Sequence, residues 1–328
     1  MERYKAAKGK FGDKLRASIH DGCFALKEGD RCSLLNSCGL CELIINLGEE
    51  ALCDICREHP RFVEVYGDVM EKGIGLCCEE GARLLLETVQ KNGGNAFAAV
   101  LEFTEGNINE PEDELPDDAR EARDAIFLER EDLFHILEQR NIPLNKRLLM
   151  LLEYVAAENF AHESSNKNDS TSSSRLKFQD AWIKILGEGE SYGTEWDKAY
   201  ERIVQKGWSK EISAKSLFTD EDGAGIVAYM LFRYYAKSLF DGDSLGKVQF
   251  AIFFWTILKE FGAELAGSSQ FADENDIRKN SNKLDPRITA LKLLSKQIEY
   301  SDEVMNLLAR NFIENEAFSI EAFFKILE

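Results

Sequence analysis

Beyond Cys78 the chain has no cysteine: 250 residues are without one, while all eight fall between Cys23 and Cys78. A thiol-rich front and a plain globular body are thereby expected. Export signals are also missing. The opening "MERYKAAKGKFGDKLRASIHDG" lacks the apolar core of a signal peptide. Long apolar runs are absent too. The longest, "VQFAIFFWTIL" from Val248 to Leu258, lies between Lys247 and Lys259 and is too short to span a bilayer, so a buried core helix is expected there. Basic residues are the minority, 40 against 59 acidic, for a net charge of −19. Such a chain repels nucleic acid and anionic membranes. The expectation is a cytoplasmic protein with neither as partner.

Several catalytic signatures are missing as well. There is no G-x-x-x-x-G-K-[ST], and "GIG" at Gly73 to Gly75 is not a dinucleotide fingerprint. There is no G-x-S-x-G and no H-E-x-x-H. No C-x3-C-x2-C occurs, which excludes the usual radical S-adenosylmethionine motif. The four histidines, His20, His59, His135 and His162, are scattered. His59 is close enough in sequence to the cysteines to act as a ligand or proton carrier; an exposed histidine before a proline is the plainer role.

What is present is mostly helical patterning. The chain is 328 residues long and 44% hydrophobic, which suits two domains or one large one with a real core. "EEGARLLLETVQKN" reads as a helix. Residues 104–118, with Pro111 and Pro116 among acidic residues, read as a linker. From Ala119 apolar residues recur at three- and four-residue steps, and "LNKRLLMLLEYVAAENF" continues with a second helix. Residues 163–175, "ESSNKNDSTSSSR", read as a mobile polar loop. Thr194 with Asp197 resembles a capping pair, Asp285-Pro286 a cap followed by proline, and Ser301 and Ser319 further caps. Strand alternation is scarce; "RFVEVYGDVMEKGIGL" is the best hairpin, with Gly67-Asp68 at its turn. The fold class expected is mainly α: a small cysteine-rich segment with a short β-hairpin packed on a helical body. The divisions expected are 1–103 for the cysteine-rich region, 104–118 for the linker and 119–328 for the helical domain.

The cysteines carry the chemistry. Cys38 and Cys41 form one C-x2-C pair, and Cys53 and Cys56 another, eleven residues on. In a reducing compartment clustered cysteines are more often metal ligands or redox groups than disulfides. This spacing can close a tetrahedral zinc shell of four thiolates. Spacing alone does not exclude an iron–sulfur cluster, which also needs four thiolates, although zinc is the commoner occupant of such a set. Cys53 and Cys56 are expected on one helix that Pro60 stops, three residues apart and so on one face. Cys77-Cys78 is a vicinal pair, from which at most one ligand is expected.

The order Cys32, Gly39-Leu40-Cys41, Leu47-Gly48-Glu49, Leu52, Cys56, Pro60-Arg61, followed by Cys78 and "EEGARLLL", resembles the flagellin lysine-N-methylase family. Two later stretches agree: "LFRYYAKSLFDGDSLGKVQFAI", Leu231 to Ile252, and "LSKQIEYSDEVMNLL", Leu294 to Leu308. The likeness covers nearly the whole chain, and the shared order of the motifs is more specific than any one of them. It departs at Glu79, where the family usually has proline. It departs again at the start, where family members carry a cysteine-bearing arm ahead of a helix like "MERYKAAKGKFGDKLRASI". An in-frame extension with three or four more cysteines is therefore expected upstream of Met1.

The resemblance implies an enzyme that methylates flagellin lysines with S-adenosylmethionine as donor and a cysteine-bound [4Fe–4S] cluster. Carried over motif by motif, the cluster ligands would be Cys32, Cys41, Cys56 and Cys78. A lysine methylase must also deprotonate its substrate, because an ammonium group has no lone pair. Tyr234, Tyr235, Asp241 and Asp243 lie in the "RYYAKSLFDGD" block and are the candidates for that step. Taken singly, helix packing for the tyrosines and a turn for Asp241-Gly242-Asp243 are the plainer readings. Arg233 is the candidate for a carboxylate of the donor, against a structural ion pair. The alternative to an enzyme is a zinc- or iron-binding protein with a helical interaction domain.

Overall fold

The computed structural model describes Tyr4 and residues 6–20, 22–27, 31–92, 116–157, 172–208, 216–267 and 285–328. The fold is mainly α. It divides into two compact units, Met1–Arg61 and Phe62–Glu328. The second unit thus begins well before residue 103, and it takes in the hairpin and helix that carry Cys77 and Cys78.

In the first unit, α1 (Gly9–Ala17) leads into two short antiparallel pairs. β1 (Ile19–His20) pairs with β2 (Cys23–Phe24), and β3 (Leu26–Lys27) with β4 (Arg31–Cys32). Two short helices follow, α2 (Glu42–Leu47) and α3 (Asp54–Glu58). Tyr4, Leu15, Leu34, Leu43, Ala51 and Leu52 make a small core, and the Tyr4 hydroxyl donates to the Ala51 carbonyl at 2.8 Å. The single helix expected through Cys53 and Cys56 is instead broken. Gly48 ends α2 at φ 84°, a 3-10 turn occupies Glu49–Ala51, and Leu52 is extended and buried. Burying Ala51 and Leu52 in the core takes precedence over continuing the helix.

The second unit opens with a hairpin. β5 (Arg61–Tyr66) and β6 (Val69–Ile74) pair across Gly67-Asp68, with Gly67 at φ 70°. A positive φ in a two-residue turn is what glycine supplies without a Cβ clash. Helices follow: α4 (Glu79–Lys91), α5 (Asp117–Leu137), α6 (Leu144–Ala157), α7 (Ser172–Ile185), α8 (Thr194–Lys206), α9 (Asp220–Tyr234), α10 (Ser238–Asp241), α11 (Ser244–Leu265), α12 (Pro286–Glu299), α13 (Asp302–Glu314) and α14 (Ile320–Leu327). The apolar run Val248–Leu258 is buried throughout, because α11 packs against α6, α8, α9, α12 and α13. A helix apolar on all sides is a core helix.

The caps expected at Asp285, Ser301 and Ser319 are present, accepting from Arg287, Val304 and Ala322 N–H. Thr194 is not a cap: α8 starts after Gly193, and Asp197 instead takes a hydrogen bond from Ser191 at 2.6 Å. Linker residues 104–115 and loop residues 163–171 lie outside the described residues, as does His162. The remainder of the expected loop, 172–175, belongs to α7.

Polar pins hold the hairpin to the helices of this unit. Arg130 on α5 forms a two-pronged ion pair with Glu71 and donates to the Phe232 carbonyl at 3.2 Å. Arg123 donates to the Tyr66 carbonyl at 3.0 Å and pairs with Asp68. Lys237 pairs with Glu64 at 2.7 Å, and the Tyr229 hydroxyl donates to the Ile74 carbonyl at 3.0 Å.

Helix α9 also approaches its neighbours closely at Gly223. A Cβ there would lie 2.4 Å from Trp255 Cζ2 and 2.5 Å from Leu144 Cδ2. Gly223→Ala is expected to destabilise the second unit. Overpacking costs about 1–3 kcal/mol, against about 1 kcal/mol gained in helix propensity. Urea unfolding should show a lower midpoint at unchanged slope; an unchanged or higher midpoint would mean that Trp255 moves aside freely.

Candidate functional site

In the first unit the thiols gather at the ends of short elements. Cys32 closes β4 and Cys41 immediately precedes α2; both are half-buried against the small core. Asn36 shapes the intervening turn: its Oδ1 accepts from Cys38 N–H and Leu40 N–H, each at 2.9 Å. Cys53 immediately precedes α3 and Cys56 lies within it. No disulfide joins the cysteines. The Cys56 thiol is pushed up to about 12 by partial enclosure, by its hydrogen bond to Cys53, and by the nearby Cys53, Cys32 and Cys41 thiols. Cys53, Cys32 and Cys41 therefore each lie within electrostatic range of Cys56. Like charges that accumulate in one place resist ionisation, and a bound cation would relieve that resistance.

The chemistry of this set suits a soft metal centre, since thiolates are the ligands of both zinc and iron–sulfur clusters. Its geometry is not that of a closed single-ion shell: among the described residues no three of histidine, cysteine, aspartate or glutamate converge to hold one ion. Of the four ligands that the resemblance implies, Cys32, Cys41 and Cys56 belong to this unit. Cys78 belongs to the second, where it immediately precedes α4.

A separate cluster lies inside the second unit. Arg233, in the last turn of α9, donates through Nη1 to Glu299 Oε1 at 2.7 Å and to the Tyr229 hydroxyl at 3.2 Å. The Tyr234 hydroxyl donates to the same Glu299 Oε1 at 2.9 Å. The Glu299 side chain is 0% exposed and that of Arg233 9%. Three rings flank the guanidinium: Phe62 at 4.7 Å, Tyr234 at 5.2 Å and Tyr300 at 5.4 Å. Tyr300 is hydrogen-bonded to Cys77, whose thiol burial pushes up to about 11. Burial opposes the charge on Arg233, but Glu299 and the surrounding phenols outweigh it, so the guanidinium stays ionised. Burial and the Glu299 charge together hold Tyr229 and Tyr234 well above the ordinary phenol range, so both stay neutral.

The other candidates from the "RYYAKSLFDGD" block have separate partners. The Tyr235 hydroxyl donates to Glu129 at 2.9 Å. Asp241 pairs with Lys247 at 2.5 Å, and Asp243 caps α11 by accepting from Gly246 N–H at 2.8 Å. Tyr234 and Tyr235 thus both act as donors to carboxylates here. Sequence reading passed over Glu299 and Tyr229, and took Cys77 only as half of a vicinal cysteine pair. Glu299 did carry a signal, since it lies in the "LSKQIEYSDEVMNLL" stretch. Tyr229 lies four residues before Arg233 on the same helix face, a spacing that brings side chains together. Comparison with protein-family models, with curated proteins and with solved structures found no match.

Proposed function

We propose that the chain is a protein-lysine N-methyltransferase of the cytoplasm, acting on flagellin with S-adenosylmethionine as donor. One observation carries this reading. Three stretches that resemble the flagellin lysine-N-methylase family, far apart in sequence, meet around one buried ion pair. They supply Cys77 beside Cys78, Arg233 with Tyr234, and Glu299 with Tyr300. A buried charge pair in an otherwise apolar helical core contributes little net stability. Perturbed ionisable groups gathered in one place are instead typical of functional sites.

The cluster ligands proposed are Cys32, Cys41, Cys56 and Cys78. When bound, an iron–sulfur cluster would supply an iron centre for holding the sulfonium donor. The chain's own contribution is clearest at Arg233: a guanidinium fixed by Glu299 and three rings is a preformed partner for an anionic group. No helix among the described residues is long and apolar enough to cross a membrane.

Cys41→Ser tests the reading. Serine oxygen is a poorer ligand for iron than thiolate. Bound iron and acid-labile sulfide should fall by more than half, and methyl transfer to flagellin lysines, read by mass spectrometry, by at least tenfold. Far-UV circular dichroism should stay unchanged, because the main hydrophobic core lies within residues 76–327. Full methylation without the cluster would remove the metal from the reaction. A colourless zinc protein that transfers no methyl group would favour the non-enzymatic alternative.

A further inference from the structure

Glu299 is satisfied on one side only. Its Oε1 takes bonds from both Arg233 and Tyr234, while Oε2 is enclosed and has no hydrogen-bond donor among the described residues. A buried carboxylate oxygen without a donor is costly, and in native proteins its partner is often a ligand or water. The missing group must bring an N–H or O–H to Oε2. Charge narrows its class. Arg233 and Glu299 cancel one another, so a lone ammonium would leave an uncompensated buried positive charge and a lone carboxylate a negative one. A neutral donor and a zwitterion both keep the site neutral, but only the zwitterion also offers Arg233 an anionic group.

We infer that the Arg233–Glu299 pair is a binding site for the α-amino-acid end of a small ligand, its ammonium on Glu299 Oε2 and its carboxylate on Arg233. This rests on the methyltransferase reading for the ligand's identity, which is then the methionine portion of S-adenosylmethionine. Arg233 is suited to the task because both its bonds to Tyr229 and Glu299 use Nη1. Tyr300, Cys77 and Phe62 are half-buried, whereas Arg233, Tyr229 and Tyr234 are buried. Tyr229 and Tyr234 keep their protons and present hydroxyls, so they add hydrogen bonds without adding charge.

Calorimetric titration of the full chain tests this with three probes: S-adenosylhomocysteine, 5′-methylthioadenosine, which lacks the amino-acid end, and L-methionine. S-adenosylhomocysteine should bind at least tenfold tighter than 5′-methylthioadenosine. Glu299→Gln should weaken S-adenosylhomocysteine at least tenfold and leave 5′-methylthioadenosine unchanged. Should Glu299→Gln lose its helical circular dichroism, Glu299→Asp keeps the charge but withdraws Oε2, and the same tenfold loss is expected. The wild-type comparison needs no variant: equal affinity for the two nucleosides overturns the inference. L-methionine binding as tightly as S-adenosylhomocysteine, and lost in the Glu299 variants, keeps the site and assigns it to a free amino acid. Methyl transfer without dependence on the amino-acid end defeats this inference alone. Absence of both binding and methyl transfer defeats it together with the methyltransferase reading.

Discussion

Arg130→Met destabilises the second unit by about 3–5 kcal/mol, the range for breaking a buried ion pair by removing one partner. The Arg130 side chain is 9% exposed and that of Glu71 6%. Methionine preserves much of the volume between the Phe127 and Phe232 rings, which the guanidinium faces at 4.7 and 5.4 Å. It returns no charge to Glu71 and no donor to the Phe232 carbonyl. The loss is therefore electrostatic and should show in urea unfolding as a lower midpoint. The double variant Arg130→Met/Glu71→Gln should recover more than half of it, because an amide in that site needs no counter-ion. A single-variant loss below about 1 kcal/mol would place the pair in the range of solvent-screened surface bridges.

Trp182→Ala is expected to have an effect of similar size for a different reason. Trp182 is 0% exposed, and its ring lies 4.7 Å from Phe323, 5.1 Å from Phe253 and 5.7 Å from Phe318. Its indole N–H donates to the Ala317 carbonyl at 2.8 Å. Truncation removes apolar contact and leaves a cavity that three packed rings cannot close, a loss of about 3–5 kcal/mol. Domains are commonly stable by only about 5–15 kcal/mol, so the variant should melt far below the wild type. Trp182→Phe keeps most of the contact area and should recover about half of the loss, the rest reflecting the Ala317 carbonyl left without its donor. Equal stability of the alanine and phenylalanine variants would show that the indole bond, rather than packing, holds this region.

Local rules read the secondary structure well where they had no competitor. Alternation along "RFVEVY" and a glycine at the turn were enough for the hairpin, and Asp285-Pro286 was enough for the start of α12. They failed where tertiary burial decided. "LGEEALCDIC" carries a helical composition, but Ala51 and Leu52 fill the core of the first unit, and the backbone bends at Gly48 to place them. Composition set the domain division at the acidic, proline-bearing linker 104–118, whereas packing assigns the hairpin and α4 to the helical unit through Arg130–Glu71 and the contact of α4 with α9. Arg233 and Tyr234 stood out in sequence because they lie in the "RYYAKSLFDGD" block that resembles the methylase family. Their shared partner lies 65 and 66 residues away at Glu299. No periodicity links such positions; only the packing of α9 and α12 in the same helical core does.

The beginning of α12 is fixed twice over, by the Asp285 cap with Pro286 and by Arg287, which pairs with Asp222 at the opposite end of α9 from Arg233. Glu299 is the last residue of the same helix. The helix therefore works as a ruler: anchored at one end, it delivers a carboxylate at the other, at one rotational setting. Each residue added or removed between Arg287 and Glu299 turns that carboxylate by about 100° around the axis. The number of residues in α12 is thus as much a determinant of the Arg233 environment as the identity of Glu299 itself.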